Sequence, residues 1–434
     1  MKKNNILLVN PWIEDFSAFD QWIKPIPLLK ISSWLKSSGF NVYLIDMLDR
    51  DFWQGKNKKY NTGKFKTIDI EKPQVFDFID RKYRRFGGNK EEFKKKLLEI
   101  DDVPQWVFTG LPITYWYQSL WDIIDVVHEV FPDTKIAVGG NYAKLLSFHL
   151  KNNRKVEYIF SSSSYYQLEK ELSLFLGFQS SGSLWDSFLD ISYYKNIKGL
   201  PILTVQGCPY HCTYCAVPKL YEKNYFRSPD SVIREIEFYI KKGVEDIAFF
   251  DDALLVNREK HVKVILRNII KLNSNIRFHL PNAVHSRLID TETAQLMKNA
   301  NFKTIRLGLE SIDPDYQKLT GEKVLFDEFK RAVNNLFQAG FESRDIGAYV
   351  MYGSPADKVK SVQNSITTVQ KTGIKSMLVT YSPVPGTADF EKYSEVYPEI
   401  RNEPLLHNKV VSMYRNYEEY KYLKEINDDG NKLL

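Results

Sequence analysis

Short apolar runs alternate with amphipathic helical segments along most of this 434-residue chain, and the alternation restricts its fold more than any other feature. Runs such as 6–9 and 135–138 have the length of buried strands, whereas 117–131 repeats apolar residues at helical spacing. Strands that alternate with helices form parallel sheets, because a crossover must return the chain to the same edge. The sequence therefore predicts an α/β protein.

The alternation falls into two blocks, which predict two domains. Residues 1–177 predict a doubly wound parallel sheet of the Rossmann or flavodoxin-like kind. Residues 199–390 contain six strand–helix units, which predict a partial (β/α)6 barrel of the TIM type. Residues 178–198 are expected to be a linker, and 391–434 a C-terminal helical tail. Functional side chains are expected where the strands end.

All three cysteines of the chain lie in one loop, Cys208-Pro-Tyr-His-Cys212-Thr-Tyr-Cys215, directly after a predicted strand. Disulfide frameworks need an even number of cysteines in a short secreted chain, and structural thiols are usually scattered. Three thiolates can hold a [4Fe–4S] cluster and leave one iron open to another ligand. A Cys3His zinc site with His211 is the alternative, although neighbours such as His211 and Cys212 seldom converge on one ion. Three buried thiols without a metal are a second alternative.

The loop resembles that of radical S-adenosylmethionine (radical SAM) enzymes, whose motif is Cys-x3-Cys-x2-Cys with an aromatic residue before the last cysteine. Tyr214 occupies the aromatic position, where the family places the adenine. The resemblance implies that Cys208, Cys212 and Cys215 bind the cluster and that S-adenosylmethionine chelates the open iron. One electron then splits the S–C5′ bond and yields a 5′-deoxyadenosyl radical, which abstracts hydrogen from a substrate. With no further cysteine in the sequence, one cluster is the maximum.

The same resemblance assigns S-adenosylmethionine contacts to polar residues that follow the barrel strands. The paired Asp251 and Asp252 are expected to receive the methionyl amine, with a helix-capping pair as the alternative. Glu310, or else Ser311, is expected to hold the ribose hydroxyls. The remaining expectations are Arg306 as a contact of the methionyl carboxylate or a salt-bridge partner, and backbone groups at Gly353 as contacts of the adenine.

The residue that performs the substrate chemistry is not assigned by the sequence. His279, Asn282 and His285 follow the third barrel strand and are the candidates for substrate contact, proton relay or metal binding. Either histidine has a structural alternative, since a lone buried histidine is usually a satisfied core group.

The N-terminal half resembles the cobalamin-binding domain that precedes the radical domain in one large subgroup. Gly139 and Gly140, directly after a strand, and the turn at 161–164 carry this resemblance, and glycines there let a ligand approach the backbone. The Asp-x-His-x-x-Gly motif of a lower cobalt ligand is missing, and the first histidine is His128. Cobalamin is therefore expected without a protein histidine ligand, with an empty scaffold as the alternative. The strand end Asp251-Asp-Ala-Leu-Leu and the tail 404–408 are similar to an uncharacterised group of these proteins.

The net charge of +6 is concentrated in one insertion, at about residues 50–96. This segment holds fifteen Lys and Arg against seven Asp and Glu, and nine aromatic residues are interleaved with them. Such a segment is typical of a nucleic-acid surface, of a lid over a phosphate-bearing cofactor, or of a solvated insertion. The stretch 81–88 is its expected contact point.

Together these features predict a radical SAM enzyme acting on an unknown small molecule or peptide, with cobalamin-dependent methylation of an unactivated carbon as one outcome. A cobalamin-independent rearrangement or dehydrogenation, and a non-catalytic metal- or nucleic-acid-binding module, are the alternatives. An external one-electron donor such as flavodoxin or ferredoxin is expected. No apolar run reaches the eighteen or so residues of a membrane helix, so a cytoplasmic location is expected, with neither membrane nor nucleic acid as a partner.

Overall fold

A computed structural model describes residues 5–180 and 182–434 of the chain. The described residues form two compact units. The first contains the chain up to Ile197 together with Pro404–Leu406, and the second contains Lys198–Glu403 together with His407–Leu434. Within the described ranges, none of the helices has the length and apolar content that a membrane crossing requires.

The first unit is built on strands and helices that alternate as the sequence predicts. Its strands are β1 (Asn5–Asn10), β2 (Ile13–Asp15), β3 (Asn41–Asp46), β4 (Lys56–Asn57), β5 (Gly63–Lys64), β6 (Thr67–Ile70), β7 (Tyr83–Phe86), β8 (Trp106–Gly110), β9 (Lys135–Gly139) and β10 (Tyr158–Ile159). Its α-helices are α1 (Ile26–Ser37), α2 (Lys90–Leu98), α3 (Tyr117–Val130), α4 (Gly140–Leu145), α5 (Ser147–Asn153) and α6 (Tyr165–Leu176).

The core of the first unit is a five-stranded parallel sheet in the order β10-β9-β8-β1-β3. The side chains at 6–9 in the interior strand β1 are fully buried, as expected for a parallel sheet that is covered on both faces. The order of the strands reverses next to β1, which is the flavodoxin-like arrangement. Helix formation after β9 is interrupted at Leu146, so the single helix expected there is divided into α4 and α5.

The basic segment 50–96 is packed into the first unit. Its strands β6 and β7 form a three-stranded antiparallel sheet with β2, which belongs to the loop after β1. Phe65 and Phe86 of the segment pack with Ile13 and Leu48 in a small apolar cluster. Several of its cations are neutralised, in the ion pairs Lys66–Glu92, Lys82–Asp69, Arg84–Asp69 and Arg85–Glu14.

The second unit continues the alternation. Its strands are β11 (Gly199–Ile202), β12 (Val205–Gln206), β13 (Tyr225–Phe226), β14 (Asp246–Phe249), β15 (Arg277–His279), β16 (Val284–His285), β17 (Phe302–Glu310), β18 (Ile346–Tyr352) and β19 (Lys375–Thr380). Its α-helices are α7 (Val217–Leu220), α8 (Pro229–Lys241), α9 (Val262–Leu272), α10 (Thr291–Asn299), α11 (Pro314–Leu319), α12 (Phe326–Gln338), α13 (Val359–Lys371), α14 (Ala388–Val396), α15 (Lys409–Arg415) and α16 (Tyr417–Lys432).

The main sheet of the second unit runs in chain order, β11-β14-β15-β17-β18-β19, and its strands are parallel. This is the arrangement of six strand–helix units in a partial barrel, in which the loops after the strands gather at one face. The tail helix α16 packs against α13 and the last strand β19, and Asn427 accepts a hydrogen bond from Ser376 in that strand.

One strand differs from the sequence-based expectation in a way that matters for the site. The run 202–206 was expected to be a single strand, but it is divided into β11 and β12. The backbone N–H groups of Thr204 and Val205 donate to the carboxylate of Asp251 instead of to a neighbouring strand. The chain therefore leaves the sheet just before the cysteines.

Candidate functional site

The three cysteines lie in the loop between β12 and α7, at the end of the first barrel strand. All three are free thiols; Cys212 is buried, and Cys208 and Cys215 are half-buried. The antiparallel pair β12–β13 closes the base of the loop. Gly207 begins it with φ +89°, and a Cβ there would lie 2.5 Å from the carbonyl oxygen of Lys223, so only glycine fits.

The donor set of this loop fits an iron–sulfur cluster. Burial raises the pKa of the Cys208 and Cys212 thiols and raises that of Cys215 to about 11, so metal binding must displace their protons. Among the described residues, no group of three His, Cys, Asp or Glu side chains is arranged around a single ion. The thiolates of a cluster bind different irons and do not have to converge on one point. His211, the histidine of the zinc alternative, is exposed.

The two carboxylates after β14 contact the backbone that leads into the cysteine loop. Asp251 is buried and accepts hydrogen bonds from Thr204 and Val205 through Oδ1, whereas its buried Oδ2 has no hydrogen-bond partner in the described part of the chain. Oδ2 of Asp252 accepts a hydrogen bond of 2.8 Å from the backbone N–H of Gly207. Burial raises the pKa of Asp251 to about 7 and that of Asp252 to about 6.

Glu310 ends the fourth barrel strand and forms an ion pair that the sequence did not predict. Nζ of Lys323 lies 2.9 Å from Oε1 of Glu310, and both side chains are largely buried. Burial by itself lowers the pKa of Lys323, but the Glu310 carboxylate and the ionised form of Cys212 raise it above its usual value overall. A Cβ at Gly308 would lie 2.6 Å from Nζ, so that glycine leaves room for the lysine.

Lys323 reaches the site because its own loop packs against the cysteine loop. Gly321 has φ +102°, and its backbone lies close to that of His211. A Cβ added at Gly321 would be 3.2 Å from the carbonyl oxygen of His211. The hydroxyl of Tyr214, the aromatic residue of the motif, lies near enough to Cys212 to lower the pKa of that thiol against the effect of burial. Burial first, and the Glu310 carboxylate second, raise the pKa of Tyr214. Tyr214, Glu310 and Lys323 therefore gather around Cys212.

The structure separates the three candidates that follow the third strand. His279 is fully buried, and its ring nitrogens lie 2.8 Å from Oδ1 of Asp246 and 3.0 Å from Oγ1 of Thr304. These contacts are those of a satisfied structural histidine. Asn282 is exposed. His285 is buried, and its Nε2 lies 3.5 Å from Sγ of Cys208, so it is the candidate that meets the cysteine loop.

The other predicted S-adenosylmethionine contacts have mainly local partners. Oγ of Ser311 accepts a hydrogen bond from the backbone of Asp313 and so caps the turn after β17. Arg306 donates to the carbonyl oxygen of Ile305, and burial lowers the pKa of its guanidinium. Gly353 follows β18 at φ +91°.

In the first unit, Gly139 and Gly140 lie where β9 ends and α4 begins. Gly140 has φ +81°, and a Cβ there would lie 2.5 Å from the carbonyl oxygen of Leu111. Gly139 has more room, because the nearest atoms to its Cβ position are those of Phe160 at 3.8 Å. The loop after β1 contains the fully buried Trp12 and no histidine.

The fold and the site define the class of protein. A doubly wound parallel sheet is followed by a partial (β/α)6 barrel whose first loop carries three free cysteines. Residues 202–367 of that barrel match the family described as the Radical SAM superfamily. The second unit therefore contains a radical SAM domain over these residues.

Curated relatives include methyltransferases. The chain is 26% identical over 205 residues to the bacteriochlorophyllide d C-12(1)-methyltransferase of Chlorobaculum tepidum, and 30% identical over 112 residues to the hopanoid C-2 methylase of Rhodopseudomonas palustris. These matches cover 45% and 25% of this chain and 43% and 21% of the relatives. The chain thus spans less than half the length of either relative.

Two solved structures share the architecture over nearly the whole chain. The radical S-adenosylmethionine methyltransferase TsrM from Kitasatospora setae has a TM-score of 0.67 at 16% identity, covering 91% of this chain and 76% of that one. The cobalamin-dependent S-adenosylmethionine radical enzyme OxsB has a TM-score of 0.61 at 13% identity, covering 93% of this chain and 56% of that one. The similarity confirms the predicted fold class.

Proposed function

We propose that this chain is a radical SAM enzyme that binds one [4Fe–4S] cluster through Cys208, Cys212 and Cys215. The observation that carries the proposal is the presence of three free thiols on one loop at the carboxyl ends of the barrel strands. When bound, such a cluster supplies the electron that splits S-adenosylmethionine into methionine and a 5′-deoxyadenosyl radical, which abstracts hydrogen from the substrate.

The side chains around the loop have the chemistry to bind S-adenosylmethionine. Asp252, whose carboxylate supports Gly207, offers an acceptor for the methionyl amine. Glu310 offers an acceptor for the ribose hydroxyls. Lys323 supplies the positive charge that three thiolates and a methionyl carboxylate require in a largely buried site. These residues position the cofactor and keep water away from it.

We further propose that the substrate radical is methylated at an unactivated carbon with cobalamin bound by the first unit. The two methylating relatives, and the structure of TsrM with cobalamin and a [4Fe–4S] cluster bound, support this proposal. Gly139, whose Cβ position would meet only Phe160 at 3.8 Å, lies at the sheet edge where doubly wound folds bind ligands. No histidine in the loop after β1 is available as a lower cobalt ligand.

A cobalamin-independent radical reaction is the second candidate. The loop after β1 holds its own buried contacts, since Nε1 of Trp116 donates to Oδ2 of the buried Asp15 at 3.0 Å. In either case we expect a small molecule or peptide as substrate and flavodoxin or ferredoxin as electron donor. Reduced cysteines and an oxygen-sensitive cluster favour the cytoplasm as the compartment.

The experiment is anaerobic reconstitution with iron and sulfide, followed by reduction in the presence of S-adenosylmethionine and hydroxocobalamin. We expect the absorbance and electron paramagnetic resonance (EPR) signals of one [4Fe–4S] cluster and 5′-deoxyadenosine by mass spectrometry. Cys208→Ala should lose both, whereas His211→Ala, a change at an exposed position of the same loop, should keep both. A protein that carries zinc, and loses it in the His211→Ala variant, contradicts the proposal.

A further inference from the structure

His285 differs from the other buried histidine of the third strand region because its imidazole faces a cysteine. His285 is 4% exposed, and its Nε2 lies 3.5 Å from Sγ of Cys208. Its other ring nitrogen, Nδ1, is buried and has no hydrogen-bond partner among the described residues. The contact with sulfur is therefore the polar contact that the structure gives this side chain.

The imidazole is held in place by regular structure. His285 belongs to β16 and pairs with Gly308 of β17, and the neighbouring Ser286 donates to the carbonyl oxygen of Gly308. The Tyr210 ring lies 4.5 Å from the imidazole at an interplanar angle of 42°. Strand pairing and ring packing thus position Nε2, and we expect the contact with Cys208 to persist when the loop binds metal.

The chemistry of the two atoms decides the direction of the hydrogen bond. Either ring nitrogen of an imidazole can carry a hydrogen, and Nε2 is the one that faces Sγ of Cys208. A cysteine that ligates iron is a thiolate and has no hydrogen to donate. The contact is then favourable only if the ring hydrogen is on Nε2, which makes His285 the donor.

We propose that His285 donates an Nε2–H hydrogen bond to the Cys208 thiolate of the bound cluster and thereby raises the reduction potential of that cluster. The inference rests on the proposed function. A hydrogen bond to a ligating sulfur withdraws electron density from the iron, so it stabilises the reduced cluster, which carries one more negative charge. His285 acts through Cys208 and is a positioning residue for the electron transfer.

The test compares two substitutions in the full chain after reconstitution. His285→Leu removes the donor, whereas His285→Gln keeps an N–H group at a similar reach. At the potential where the wild-type cluster is half reduced, we expect the ratio of reduced to oxidised cluster to be about tenfold lower in the Leu variant, equivalent to ~59 mV for one electron. The Gln variant should stay within about twofold of wild type, as should His211→Leu, the control at an exposed position of the cysteine loop.

A second measurement needs no substitution. Pulsed EPR of reduced wild-type protein labelled with ¹⁵N-histidine should show weak coupling to one ring nitrogen and to one exchangeable hydrogen. No coupling, or the strong coupling of a histidine bound directly to iron, overturns the inference. So does a Leu variant with wild-type potential. A wild-type chain that takes up no cluster overturns the proposed function as well. A His285→Leu variant that binds the cluster and keeps the wild-type reduction potential overturns only the role of His285.

Discussion

At the scale of single residues, two carboxylates whose pKa values burial raises to about 7 and about 6 bind the backbone that leads into the cysteine loop. Asp252 accepts the backbone N–H of Gly207, directly before Cys208, and burial raises its pKa to about 6. In the unfolded chain this carboxyl ionises near pH 4. In the protein without bound ligand, the stability that protonated Asp252 contributes is therefore fully present below about pH 4. It is lost as the pH rises through about 6.

Binding of S-adenosylmethionine should show the opposite dependence on pH. Oδ2 of Asp252 already accepts from Gly207, and only the ionised carboxylate leaves Oδ1 without a hydrogen and carries a charge that attracts the methionyl amine. We therefore expect the affinity of the cluster-loaded protein to fall about tenfold per pH unit below 6. Anaerobic calorimetric titration between pH 5 and 8 measures this. In Asp252→Asn the step near pH 6 should vanish, and an unchanged step in that variant contradicts the assignment.

The residues of the site differ in how far the sequence predicted them. Spacing alone singled out Cys208, Cys212 and Cys215 as candidate metal ligands, because they lie within one loop and their spacing is a local property. Lys323 was not predicted, since it lies in a loop without periodicity and reaches Glu310 only through the packing of Gly321 against the cysteine loop. Nor did the sequence distinguish His279 from His285, because it predicted a single strand before both, whereas His279 ends β15 and His285 belongs to β16.

At the scale of elements, the hairpin β12–β13 connects the cysteine loop to α8. Arg227, directly after β13, is fully buried and pairs with the buried Glu235 of α8. It also donates to the carbonyl oxygen of Leu203 and to Oγ of Ser231. The guanidinium thus joins the strand before the cysteines to the helix after them.

Removal of one partner of this buried pair should be costly. We expect Arg227→Met to lower the free energy of unfolding by about 3–5 kcal/mol, because it leaves the Glu235 carboxylate buried without its partner. Urea denaturation of the cluster-free protein measures the loss. Arg267→Met is the matched control, because its pair with Glu292 is exposed, and it should cost less than about 1 kcal/mol. Equal losses of unfolding free energy in the two variants would show that the buried pair stabilises the fold no more than an exposed pair does.

Elements were predicted well where their pattern is local, and less well where a distant group intervenes. The helix expected from about residue 258 begins at Val262, since turns fill the segment after Asp252 and Asn257 adopts φ +55°. The strand expected over 202–206 is interrupted by the carboxylate of Asp251, about 47 residues away. Periodicity carries no information about such a contact.

At the scale of the whole molecule, the residues proposed for the two cofactors belong to different compact units. The cysteines lie in the second unit, and Gly139 lies in the first. Each unit has its own parallel sheet and its own buried core. The two proposed sites can therefore be tested separately in the full chain.

We expect the variant with Cys208, Cys212 and Cys215 all replaced by alanine to bind hydroxocobalamin as wild type does. Its iron content after reconstitution should fall from about four atoms per chain to near zero, because the thiolates are the cluster ligands. Metal analysis gives iron and cobalt in one sample. Wild-type protein without cobalt would favour the cobalamin-independent reaction. A triple variant that loses cobalt together with iron would contradict the expectation that cobalamin binds independently of the cysteines.

The sequence by itself determined the type and order of the main elements and the donor set of the loop, because periodicity and spacing are local properties that do not depend on the rest of the fold. The tertiary structure decided which side chains meet those donors. His285 contacts Cys208 across 77 residues, and Lys323 joins Glu310, through strand register and loop packing. Such contacts depend on the relative placement of distant segments, which no local pattern encodes.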